Sequence, residues 1–224
     1  MENHLGNQRY CVSLVPIFNH LEVEQMNEVM QVVKSRSFKK GEILYHAGDE
    51  ANALHIVNRG QVKIYRLSES GKEQMLRILM PGDFTGELAL FQEGSHEAYA
   101  EATQDTQICM IRDEDFQKLL VKYPTISLKV LEEFSSRLDR SEQQTTRVAT
   151  EKVETRLALF IAELAETDQD RVHLPMSKKD LASYLGTTPE TLSRRLAEFE
   201  EEGLIKMKGQ REIVIQDLDG LLFI

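Results

Sequence analysis

Two cysteines, Cys11 and Cys109, are all that the 224 residues contain. They are too few for a disulfide scaffold and cannot by themselves make a four-cysteine metal site. No apolar run approaches the roughly 18 residues that a membrane-spanning helix needs. The opening Met1-Glu2-Asn3-His4 has neither a basic nor an apolar leader region. No secretory signal is therefore expected, and the chain is expected to work in the cytoplasm, away from membranes. Cations are in deficit: 27 Lys and Arg stand against 37 Asp and Glu, a formal charge of −10. That balance excludes a polycation that coats nucleic acid by charge alone, so any DNA binding must come from a locally basic surface. Internal repeats and low-complexity stretches are also missing. The remaining composition, 41% hydrophobic and 29% charged, suits a globular protein of one large domain or two small ones with real cores.

The apolar pattern changes character along the chain. Over residues 10–35, Leu21, Met26, Val29, Met30 and Val33 recur at helical intervals, which predicts a helix. From Ser37 onward the chain breaks into short apolar runs: GEILYHAGD, LHIVNRGQVKIYRL, ESGKEQMLRILMPGDF and QDTQICMI. Turn signals at Gly48-Asp49, Arg59-Gly60, Ser70-Gly71 and Pro81-Gly82-Asp83 predict a compact antiparallel barrel or jelly roll. After Tyr123-Pro124 glycine disappears until Gly186. Leu131, Phe134, Leu138, Ser141, Thr145 and Val148 step by three and four, the spacing of a coiled-coil seam. Ser141 and Thr145 make its lower half weak, so the same helix could instead pack on its own barrel. A further helix is expected over roughly 150–166, with Val153, Leu157, Phe160, Ile161 and Leu164 on its apolar face.

The most informative segment is SKKDLASYLGTTPETLSRRLAEFEEEGLI, residues 177–205. Ser177 with Asp180 opens a helix in the manner of a capping box, and Gly186 closes it. Thr187 or Thr188 caps a second helix, with Pro189 in its first turn. Leu192, Leu196 and Phe199 should face inward, and Pro189, Glu190, Ser193 and Arg194 should gather near the opposite side of the N-terminal end. Two short helices joined by a tight glycine turn are the plan of a helix-turn-helix. LIKMKGQREIVIQ, residues 204–216, adds two strands around Gly209-Gln210, a wing. An arginine fork can bond guanine O6 and N7, and a carboxylate can accept from cytosine N4; Arg194 and Glu190 supply both. Glu190 could instead be a helix-capping acid or an i,i+4 partner of Arg194, roles that do not exclude a base contact. Arg195, Lys206, Lys208 and Arg211 are candidate phosphate contacts. From residue 151 onward Lys and Arg number 10 against 15 Asp and Glu, so the motif, not the charge, carries the case for DNA.

Taken together, PGDFTGELALF at 81–91, the long helix and ETLSRRL at 190–196 make the chain resemble the CRP/FNR family of bacterial transcription regulators over essentially its whole length. The resemblance implies an α+β fold of three parts. A cyclic-nucleotide-binding-like β-roll sensor with its N-terminal helix would occupy 1–123, a dimerisation helix 124–149, and a winged helix-turn-helix 150–224. It also implies a homodimer on two-fold symmetric double-stranded DNA that contacts RNA polymerase. Glu190, Ser193 and Arg194 match the arrangement that reads a TTGAT half-site in the FNR branch, with Ser177, Thr188, Pro189, Arg195 and Lys208 around them. Pro189 stands where the CRP branch carries an arginine.

The sensor departs from both branches. Cyclic-nucleotide readers hold the phosphate with an Arg-Ser pair, where this chain has Glu97 and Ala98. A carboxylate there repels the anion, so no cyclic AMP is expected in the usual mode. Glu87, matching the ribose ligand, is then expected to serve as a turn or dimer-helix contact. Cys11 and Cys109 resemble two of the four ligands of the FNR iron–sulfur cluster, but Glu2 and Leu5 occupy the other two positions, so no standard cluster is expected. The surviving pair is similar to that of FNR-like proteins from low-GC Gram-positive bacteria, which implies thiol–disulfide chemistry. Alternatively, Cys109 is a small buried hydrophobe and Cys11 an unrelated terminal residue.

An effector-independent or small-molecule-sensing regulator of the same family is the nearest alternative. A β-barrel metal enzyme would need clustered His and carboxylate ligands. His46 and His55 are nine residues apart and His96 and His173 stand alone. These histidines are expected at the surface, and the protein is not expected to be an enzyme. A signal-binding module whose C-terminal domain pairs with protein is disfavoured by the basic reading face.

Overall fold

The computed structural model describes residues 12–87, 94–165 and 170–224. The chain forms two compact units, one of Met1–Gly71 and Leu76–Leu138, the other of Lys72–Met75 and Asp139–Ile224. The division falls inside the long helix, between Leu138 and Asp139, not at its end.

The first unit is a β-roll. Its strands are β1 (Lys34–Phe38), β2 (Ile43–Tyr45), β3 (Ala53–Arg59), β4 (Val62–Leu67), β5 (Glu73–Leu79, whose first three residues are counted with the second unit), β6 (Phe84–Thr85), β7 (Tyr99–Ala102) and β8 (Thr106–Arg112). They form two four-stranded sheets, in the orders β1-β8-β3-β6 and β2-β7-β4-β5. The helix predicted over 10–35 is broken: residues 12–14 are helical, residues 15–21 form bends and turns, and α1 spans Val23–Val32. Pro16 has no N–H to donate to a helical ladder, and the Glu22 amide is capped by Gln25 Oε1 at 3.0 Å. α2 (Asp113–Lys122) and α3 (Pro124–Thr150) follow the roll.

β3 is buried almost throughout because both its faces are covered. With a side-chain period of two, Leu54 and Ile56 join Cys109, Ile111, Phe116, Ile126 and Val130 in one cluster. Val57 joins Phe38, Val62, Ile64, Ala100 and Ile108 in the other. Gly86 has φ +84°, and a Cβ there would stand 2.2 Å from the Ala53 carbonyl oxygen; only glycine lets the chain pass so close to β3.

The second unit contains α4 (Val153–Leu164), β9 (Arg171–His173), α5 (Lys178–Tyr184), α6 (Pro189–Glu201), β10 (Ile205–Lys208), β11 (Glu212–Ile215) and α7 (Leu218–Leu222). Its core includes Leu157, Ile161, Leu181, Leu192, Leu196, Phe199, Ile205 and Ile213. β11 pairs antiparallel with both β10 and β9, and Gly209 at φ +76° turns the β10–β11 hairpin. No helix among the described residues is long and apolar enough to cross a membrane.

Candidate nucleic-acid interface

Local chemistry sets the reading element. Ser177 caps α5 by accepting from the Asp180 amide at 3.1 Å. Gly186, at φ +67°, makes the turn. Thr188, not Thr187, caps α6, accepting from the Thr191 amide at 3.3 Å, and Pro189 opens the helix. Leu192, Leu196 and Phe199 are buried, which leaves Thr188, Pro189, Glu190, Ser193 and Arg194 exposed together at the N-terminal end. The Glu190 carboxyl is held below the usual carboxylate range by its own backbone amide and the Thr188 hydroxyl. It is therefore an acceptor at neutral pH, as a cytosine N4 contact requires. Arg194 makes one loose contact with Glu198, 3.9 Å away, and its side chain is 64% exposed. Lys206, Lys208 and Arg211 are exposed on the wing.

Arg195 departs from its expected role at a phosphate. It lies three residues after Leu192 and four before Phe199, which turns it back towards the core. Its guanidinium pairs with Glu198 at 2.6 Å and with Glu154 of α4 at 3.4 Å. It joins α6 to α4, and the spacing of Leu192 and Phe199 was the signal that could have shown this.

The β-roll contains polar clusters of its own. Glu87 accepts from Arg77 at 3.0 Å and pairs at 3.0 Å with Arg137 of α3. Burial opposes ionisation of Glu87, but the two guanidiniums outweigh it and hold its carboxyl below the usual range. Arg137 also donates to the Phe84 carbonyl at 3.0 Å and lies 4.0 Å over the Phe84 ring. Arg77 and Arg137 were not singled out from sequence, because neither forms a local motif. Glu97 is paired with Arg66 at the surface.

The histidines require a correction. His55 and His96, expected at the surface, are buried at 7% and 8% exposure. The Tyr45 ring stacks on His96 with centroids 3.6 Å apart and lies 5.5 Å from His55, while the Tyr45 hydroxyl bonds Thr85 at 2.7 Å. The inward face of β3 and the sheet opposite bring the rings together. No group of three or more His, Cys, Asp or Glu that could hold a metal ion occurs among the described residues.

Of the seam residues, Leu131 and Leu138 are each 62% exposed and Phe134 packs partly on the core. Ser141 and Thr145 are exposed, the latter bonded to the Ser141 carbonyl at 2.8 Å. Cys109 is fully buried in β8, 3.8 Å from Ser35 Oγ, and is a half-cystine. Cys11 lies outside the described residues.

Residues 35–123 match the cyclic nucleotide-binding domain family and residues 155–224 the Crp-like helix-turn-helix domain family. A probable transcriptional regulator, flp, of Lacticaseibacillus casei is 35% identical over 93% of this chain and 95% of its own. The anaerobic regulatory protein of Haemophilus influenzae is 31% identical over 91% and 80%. Among solved structures, FixK2 from Bradyrhizobium japonicum is 27% identical with a TM-score of 0.75, covering 85% of this chain and 96% of its own. A CooA mutant from Carboxydothermus hydrogenoformans is 26% identical with a TM-score of 0.80, covering 93% of each chain.

Proposed function

Since the chain belongs to the CRP/FNR family of transcription regulators and carries that family's helix-turn-helix DNA-binding domain, we propose that it acts as a homodimer on a two-fold symmetric site related to TTGAT-N4-ATCAA. The supporting observation is the exposed group of Glu190, Ser193 and Arg194 on one end of a capped α6. In this reading Arg194 bonds guanine, Glu190 accepts from cytosine, and Ser177, Thr188 and Lys208 hold phosphates. The two-fold axis runs along the exposed Leu131–Leu138 face of α3. The regulator works in the cytoplasm, contacts RNA polymerase and catalyses no reaction.

The β-roll does not fit cyclic AMP in the usual mode. Glu97 pairs with Arg66, and Glu87 already engages two arginines, so neither position offers an anion a free cation. An iron–sulfur cluster lacks two of its four thiolates. A redox input is favoured by one observation, the half-cystine state of Cys109, with Cys11 as the other cysteine of the chain. Selection of binding sites from random DNA, in parallel under oxidising and reducing conditions, tests the reading. The expected outcome is a palindrome whose half-site centres are about 34 Å apart, and a motif without two-fold symmetry overturns it.

A further inference from the structure

Only Glu151 and Lys152 separate α3 from α4, and Lys152 is extended at φ −69°, ψ 161°. A two-residue joint of this kind lets the reading domain swing about the end of the long helix unless side chains stop it. Within the second unit, side chains do stop it. Gln144 of α3 donates from Nε2 to the Tyr184 carbonyl at 3.1 Å, on the last turn of α5. The Tyr184 ring in turn rests on Phe160 of α4, with centroids 5.8 Å apart. One helical turn beyond Gln144, Val148 Cγ1 lies 3.4 Å from where a Cβ on Gly186 would stand, and Arg156 Nη1 of α4 lies at the same distance. Arg147 pairs with Glu163 across the joint. The turn that aims α6 is thus seated on α3, and Gln144 makes its directional bond two residues before the glycine that sets the angle.

We propose that Gln144 is a positioning residue for operator recognition, fixing the reading turn to the long helix so that a dimer accepts one spacing between half-sites. The inference rests on the symmetric-dimer reading above. Each added base pair moves the second half-site by about 3.4 Å and rotates it by about 35°, so a dimer discriminates spacings only if its two reading helices are held rigidly to a common axis. The Arg147–Glu163 pair is partly exposed and screened by salt. The Gln144 bond is neutral, partly buried, and reaches α5 itself.

The test measures affinities of wild type, Gln144→Leu and Gln144→Lys for operators with three, four and five central base pairs, and for the four-pair operator with its half-site guanine replaced. Leucine keeps the bulk and removes the donor; lysine keeps a donor of similar reach. Wild type should favour one spacing by about tenfold or more, and Gln144→Leu should fall to within about threefold across spacings, as loss of a coupling between two half-sites requires. Gln144→Lys should retain most of the preference. The penalty for replacing the guanine should be the same in all three proteins, and sedimentation should show equal dimers. A Gln144→Leu protein with undiminished spacing preference overturns the proposal, as does an equal loss in Gln144→Lys. Wild type without any spacing preference instead overturns the symmetric-dimer reading, and the proposal with it.

Discussion

Arg194 and Arg195 stand side by side, yet the rotation of about 100° per helical residue leaves one exposed and sends the other back to Glu154. Their substitutions should therefore differ in kind. Arg194→Ala is expected to cost about 1–3 kcal/mol of binding and to relax preference at the guanine alone. Lys208→Ala should weaken all sequences alike and flatten the dependence of affinity on salt; binding to a panel of single-base operator variants at several salt concentrations separates the two. His55 gives a prediction in pH. Burial, and then the neighbouring His96, push its imidazole down to about 4. The folded protein therefore keeps His55 neutral where the unfolded chain, at an ordinary pKa near 6.5, takes up a proton. Stability is full above about pH 6.5 and falls as pH drops towards 4, by up to about 3 kcal/mol from this group. Urea midpoints across that range should fall more steeply for wild type than for His55→Gln, and parallel curves would refute the assignment.

At the scale of elements, α5 and α6 were legible because their signals are local. Ser177 and Thr188 accept from amides three residues on, and Gly186 supplies the positive φ that other side chains resist. The helix predicted over 10–35 was not so legible, since Pro16 interrupts a pattern whose apolar residues are buried in turns as well as in helix. For α3, three-and-four spacing left open whether its apolar stripe covers its own barrel or a partner. The structure divides the residues: Ile126 and Val130 are buried in the roll, Phe134 packs against it, and Leu131 and Leu138 face solvent. Leu138→Glu should place a charge at a two-fold seam and shift the protein towards monomer, with DNA affinity falling in parallel. Sedimentation showing an unchanged dimer would mean that α3 is not the interface.

At the scale of the whole molecule, a formal charge of −10 means that DNA approaches a protein of like net charge and is held by local cations such as Arg194, Lys206, Lys208 and Arg211, so affinity should depend strongly on salt. Redox state belongs to this scale too, because a bond between Cys11 and Cys109 would close a loop of nearly a hundred residues. Chain-entropy models give such a closure about 4–5 kcal/mol of stabilisation. DNA affinity titrated against redox potential should vary for wild type and stay constant for Cys11→Ser. Equal, potential-independent affinities would return Cys109 to a packing role in β8. By itself the sequence determined what short-range chemistry controls: the caps, the glycine turns, the alternation of the strands and the exposed trio on α6. Each of these depends on residues within about one helical turn or one hairpin. Only the tertiary structure decided the rest. Arg195 paired inward, Glu87 drew in Arg77 and Arg137, His55 and His96 were buried on Tyr45, and Gln144 reached the reading turn. These contacts join residues from 10 to about 50 positions apart, and at that separation neither periodicity nor motif specifies which side chains share a low-dielectric interior, where burial and pairing set their charge and role.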